Sequence, residues 1–130
     1  MKITIIGLGL IGGSLARDLR RTGFATGLVG VEADERHAGE ALKLGLVDRI
    51  TSLEAGVKDT DLVILAIPVD RELEVLPRVL DAIDGNTTVT DMGSTKKEIT
   101  RIIEGHPRRK QFIPAHPMSG TENSGPAAAL

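Results

Sequence analysis

The chain has 130 residues, 41% hydrophobic and 26% charged, which is the size and composition of one globular domain. A formal net charge of −2 gives no broad basic field for nucleic acid, and the lack of cysteine excludes disulfides, zinc–thiolate sites and thiol nucleophiles. The longest apolar stretch, residues 62–69, is far below the ~20 residues that span a bilayer, and the apolar N-terminal run is too short for a signal peptide.

A soluble, cytoplasmic protein is therefore expected, without metal, nucleic acid or membrane among its partners. Its core must be aliphatic, because Phe24 and Phe112 are the sole aromatic residues.

Apolar runs of strand length alternate with segments of helical period. Residues 3–6 read as a first strand, buried on both faces. Ile11, Leu15 and Leu19 then recur at helical spacing, with Arg17, Arg20 and Arg21 off the stripe. Residues 28–31 form a second strand, and residues 34–44 a helix with Ala38, Ala41 and Leu42 inside, ended by Gly45. Residues 49–51 are a weak third strand and 61–67 the strongest strand, stopped by Pro68.

Leu73, Leu76, Leu80 and Ile83 mark the next helix, in which Pro77 is out of place. That helix either starts near Glu74, with Pro77 in its first turn, or is kinked there. A fifth strand at 87–91, a helix at 95–104 with Ile99, Ile102 and Ile103 inside, and a sixth strand at 111–115 complete the pattern. Such alternation implies an α/β fold, a doubly wound parallel sheet of the Rossmann dinucleotide-binding type.

The string Gly7-Leu8-Gly9-Leu10-Ile11-Gly12 directly follows the first strand and opens the first helix, the context that a dinucleotide clamp needs. Gly7 permits the tight turn, Gly9 lets a pyrophosphate approach the backbone, and Gly12 lets helix and strand pack closely. The amides of that helix N-terminus face the phosphates. Glu32 stands 20 positions after Gly12 (32 minus 12), where a carboxylate accepts from the adenosine ribose hydroxyls and repels a 2′-phosphate.

NAD is thus the expected cofactor, although Arg36 lies near enough to bear on the choice against NADP. The plain alternative, a packing turn plus a surface glutamate, has to explain three features coinciding.

Ligands of open parallel sheets lie beyond the carboxyl ends of the strands. The cofactor-contacting set is accordingly Gly7, Leu8, Gly9, Leu10, Ile11, Gly12 and Glu32, with Ala66, Ile67, Pro68 and Gly93 from the ends of later strands. Ser94 and His116 fall just past the fifth and sixth strands and can converge near the nicotinamide. Imidazole titrates near neutrality and can accept a proton as hydride leaves a substrate. Thr95-x-x-Glu98 fits a capping box, so Thr95 can cap while Ser94 faces the ligand. His37 and His106 read as structural or merely exposed.

Three blocks together carry a resemblance: the glycine string extended through Gly13-Ser14-Leu15-Ala16, Asp91-Met92-Gly93-Ser94-Thr95-Lys96, and His116-Pro117-Met118-Ser119-Gly120-Thr121-Glu122. They resemble the prephenate dehydrogenase family, over essentially the whole chain. The resemblance implies NAD-dependent oxidation and decarboxylation of prephenate to 4-hydroxyphenylpyruvate, or of arogenate to tyrosine, in tyrosine biosynthesis. It implies that His116 binds the ring hydroxyl and takes its proton. Ser94 would assist by a hydrogen bond, and Thr121 and Glu122 would lie beside the substrate.

Members also carry an all-helical domain that dimerises and supplies an arginine to the substrate carboxylate. Nothing here corresponds to it. The chain is therefore expected to be a single NAD-binding domain over residues 1–130, cut shortly after the sixth strand and inactive alone. The parent enzyme would be a homodimer through the missing domain. Two other readings stay open, a 3-hydroxyacid type of dehydrogenase and a non-catalytic NAD-binding module.

Overall fold

The computed structural model describes residues 1–92 and 97–115. Its central strand, β1 (Lys2–Ile6), is followed by α1 (Leu10–Arg21), β2 (Gly27–Val31), α2 (Glu35–Lys43), β3 (Arg49–Ile50) and the short α3 (Leu53–Gly56). Then come β4 (Leu62–Leu65), α4 (Val69–Ala82), β5 (Thr88–Asp91), α5 (Lys97–Ile102) and a 3-10 turn at Arg109–Gln111. The strands form one parallel sheet in the order β3-β2-β1-β4-β5, with Ile3 opposite both Leu28 and Leu62. The order reverses direction between β1 and β4, which is where parallel sheets open a ligand crevice.

Strand periodicity divides the core into two layers. Ile3 and Ile5 of β1, Leu28 of β2 and Ile64 of β4 pack with Ala16 and Ala41 beneath α1 and α2. Ile6, Val63, Leu65 and Val89 face the other way, against Val75, Leu76, Val79 and Leu80 of α4 and Ile99 of α5. Buried threonines stitch the strand starts together: Thr60 donates to the Lys2 carbonyl (3.0 Å) and Thr87 to the Thr60 carbonyl (2.7 Å). At that same end Asp61 accepts the Lys2 amide (2.8 Å) and Asp48 the Leu28 amide (2.9 Å).

Several elements differ from the sequence expectation. The proposed sixth strand is not a strand among the described residues. The chain makes the 3-10 turn and then one parallel bridge, Phe112 to Val89, on the outer side of β5. The bridge occupies the place of a sixth strand, with the Ile113 amide on the Val89 carbonyl (2.7 Å), but the next inward amide, that of Ala115, turns to the Asp91 side chain instead of continuing a ladder.

Helix α4 neither starts at Glu74 nor puts Pro77 in its first turn; it begins at Val69, after Pro68 as N-cap, and runs through Pro77. An interior proline costs about 3 kcal/mol. Four flanking buried side chains, Val75, Leu76, Val79 and Leu80, each return roughly 1.5–3 kcal/mol and outweigh it.

On α1 the buried positions are Gly12 and Ala16, while Ile11 is half exposed. On α2 only Ala41 is buried and Leu42 is exposed. Asp34 caps α2 by accepting the Arg36 and His37 amides (2.8 and 3.3 Å), and Gly45, at φ 70°, ends it as expected.

Candidate functional site

The glycine string runs from the end of β1 into α1 and is shaped by two close approaches. Gly7 has φ 100°, and a Cβ there would strike the Ala66 carbonyl and lie 2.7 Å from Ile67 Cγ2. A Cβ on Gly12 would strike the Gly7 carbonyl. At Gly9, by contrast, a Cβ would meet nothing within 4 Å. Two glycines are therefore needed for packing, whereas the middle one faces open space beside the start of α1.

Gly9 is the N-cap of that helix and has no side chain to cap it, so the first-turn amides lack helical acceptors and are available to an anion. The Leu10 side chain is 89% exposed. Leu10 and Ile11 are exposed and do not line the cleft beside this loop.

A cleft of about 480 Å³ opens beside this loop. Gly7 and Gly9 line one end, Glu32, Ala33 and His37 the side after β2, and Thr51, Ser52 and Leu53 the floor after β3. The opposite wall is Ala66, Ile67 and Pro68 after β4, continued by Arg71, Val75 and Arg78 along α4. The crevice is fixed by backbone bonds at the strand ends: the Gly7 amide donates to the Val31 carbonyl and the Ala66 amide to the Ile6 carbonyl, both at 2.8 Å.

Glu32 is the central acidic group. Its Oε1 accepts the Leu8 amide at 2.6 Å and its Oε2 accepts the Asp34 amide at 2.9 Å. His37 Nδ1 stands 3.9 Å from Oε1. Bonds from the His37 and then the Arg36 amide hold the Asp34 carboxyl below its usual pKa, keeping this corner anionic. Across the cleft Arg78 reaches Glu54 at 2.8 Å, an ion pair that lowers the Glu54 pKa.

The cleft brings together Gly7, Gly9, Glu32, Ala66, Ile67 and Pro68. Leu8 joins it through its amide. Gly93, Ser94, His116, Thr121 and Glu122 lie outside the described residues, as does Thr95.

The flanks of those segments are described. Asp91, wholly buried at the end of β5, accepts the Ala115 amide at 3.3 Å, so the backbone just before His116 meets that strand end. His37, read from sequence as structural or exposed, lines the cleft, and Arg36 does not. His106 is structural as expected: its Nδ1 accepts the Arg108 amide (3.0 Å), leaving Nε2–H for Asp81 (2.7 Å) at the end of α4.

Thr51, Ser52 and Arg71 line the cleft without having been expected there, and Asp91 stands in a recognised block to which no role was given. The end of the weak strand at 49–51 was a usable signal for the first two. No motif marks Arg71.

The family model for the prephenate dehydrogenase nucleotide-binding domain matches residues 15–130. The chain belongs to the prephenate dehydrogenase family. A prephenate dehydrogenase of Bacillus subtilis (strain 168) is 40% identical over 99% of this chain and 36% of its own length. The prephenate dehydrogenase of A. aeolicus, solved with hydroxyphenyl propionate and NAD+, superposes with a TM-score of 0.76 at 31% identity, over 94% of this chain and 43% of that one. The arogenate dehydrogenase of Synechocystis gives 0.74 at 33% identity, over 94% and 42%.

The chain thus spans between 36% and 43% of the length of these relatives. Among the described residues no helix is long and apolar enough to cross a membrane, and no group of His, Cys, Asp or Glu is arranged to hold a metal.

Proposed function

We propose that this family member binds NAD in the cleft between Gly9 and Glu32 and serves the oxidative decarboxylation of prephenate to 4-hydroxyphenylpyruvate. The observation that carries this reading is the open space at Gly9 combined with packed Gly7 and Gly12. A loop built only for packing has no reason to leave its middle glycine unopposed.

The residues fit the cofactor. First-turn amides of α1 would hold the pyrophosphate and Glu32 the adenosine ribose, with the floor at Thr51–Leu53 and the wall at Ala66–Pro68 enclosing the rest. Leu10, Ile11 and Gly93 would complete the contacts, while Leu8, buried and with its amide on Glu32, would act by holding the loop. NAD, when bound, accepts hydride from the substrate.

His116 then takes the proton of the ring hydroxyl as the ring carbon is oxidised, Ser94 supports that contact, and Thr121 and Glu122 lie beside the substrate. The setting is cytoplasmic tyrosine biosynthesis, with a homodimer built through residues other than these. The bound NAD+ and hydroxyphenyl propionate of the A. aeolicus relative support this assignment by analogy.

The test gives the full-length enzyme that carries this domain NAD with prephenate and, separately, with arogenate. NADH formation and loss of CO₂ with prephenate are expected. Oxidation of arogenate alone would move the substrate assignment, and NAD binding without turnover of either would leave a binding module.

A further inference from the structure

The Glu32 carboxylate does more than face the ribose. Its Oε1 holds the amide of Leu8, inside the glycine string, at 2.6 Å, while Oε2 holds the Asp34 amide at 2.9 Å. Leu8 is itself 5% exposed and packs in the core beneath α1, so its peptide is fixed by its side chain on one flank and by Glu32 on the other. The next residue is Gly9, at the mouth of the cleft.

We infer that Glu32 is a positioning residue for the phosphate-binding loop as well as the acceptor for the adenosine ribose. This rests on the NAD reading above and adds a consequence for cofactor choice. A ribose recogniser that stands free can be exchanged to admit a 2′-phosphate. One that also tethers the loop cannot, because the exchange that removes the repulsive charge releases the Leu8 amide beside the pyrophosphate site. Loss of Glu32 then weakens NAD and NADP together instead of trading one for the other.

A ligand lacking the ribose hydroxyls separates the two roles. The probe is the NAD analogue with a 2′,3′-dideoxyadenosine moiety, titrated by calorimetry into the wild-type chain, Glu32→Ala and Glu32→Gln, with thermal unfolding confirming that each is folded. Glu32→Ala is expected to bind this analogue at least about fivefold more weakly than wild type, the worth of one lost hydrogen bond at the loop. Glu32→Gln, whose amide oxygen can still accept from Leu8, is expected to regain most of that loss. NADP affinity is not expected to rise in Glu32→Ala.

Equal affinity of wild type and Glu32→Ala for the analogue overturns the inference and leaves the NAD reading standing. A tenfold gain for NADP in Glu32→Ala does the same. Failure of the wild-type chain to bind NAD overturns the cofactor reading, and the inference with it.

Discussion

Asp91 Oδ1 accepts the backbone amide of Ala115 at 3.3 Å, joining the buried end of β5 to the residue that precedes His116. The two are 24 positions apart in sequence, and the bridge from Phe112 to Val89 and the Gln111 bond to the Thr87 carbonyl also tie these segments together. Ala115 is exposed, so water can take the acceptor's place and the loss is that of one net hydrogen bond, about 0.5–1.5 kcal/mol. Asp91→Ala is expected to lower unfolding free energy by that amount in urea. An unchanged midpoint would mean that the Ala115 amide finds another acceptor.

Gly9 and Gly12 of the loop should separate cleanly. Gly9→Val places its side chain in open space, so the thermal midpoint should stay near wild type while NAD affinity falls at least about a hundredfold, or ~2.7 kcal/mol. Gly12→Ala drives a methyl group into the Gly7 carbonyl and should destabilise the fold by roughly 1–3 kcal/mol. Calorimetry and thermal unfolding of both variants check this. A Gly9→Val protein that binds NAD normally would remove the loop from cofactor binding.

Much of this arrangement is legible in the sequence because it depends on short-range chemistry. The glycine string, the strand before it and Glu32 after the second strand are all local signals, and Gly7, Gly9 and Glu32 line one cleft. Gly45 closes α2 because a left-handed position at a helix end suits glycine, a preference visible in the chain itself.

The failures are tertiary. The α4 stripe was read through Leu73, yet Glu72 is wholly buried and Leu73 only partly so; hydropathy cannot foresee a carboxylate on an inner face. Pro77 argued for a break that packing on both sides overrides. The short helix α3 has too few residues for a period, although Ser52, which accepts the Ala55 amide at 3.3 Å, was a cap in plain view. Ile11 fits a helical stripe but sits in the first turn of α1 and is 47% exposed.

Acid stability has a specific contributor at the other end of the sheet. The Leu28 amide holds the Asp48 carboxyl below its ordinary pKa of 3.8, partly offset by burial, and Arg20 adds to the lowering. A depressed folded-state value means that this contribution is present above the unfolded value and is lost as pH falls through the folded one. Stability measured by urea midpoint should therefore decline from about pH 4 downward, and Asp48→Asn should flatten part of that decline. An identical acid limb in the variant would contradict the assignment.

His116 is tested by turnover. A positioned general base is typically worth about 10²–10⁴-fold. His116→Asn in the active enzyme is expected to lower prephenate turnover at least about a hundredfold with NAD affinity nearly unchanged, and Ser94→Ala to lower it less. Near-normal turnover in His116→Asn would transfer the role of base to another group.

The central claim is that this chain carries a nicotinamide dinucleotide site whose acidic corner selects against a 2′-phosphate. Calorimetric titration of the wild-type protein with NAD and with NADP measures it directly. Glu32, only 12% exposed and with the anionic Asp34 beside it, should make NAD bind at least about tenfold more tightly, or ~1.4 kcal/mol. Saturable one-to-one binding of NAD with that margin is the predicted result. Equal affinities, a preference for NADP, or no binding of either would contradict it.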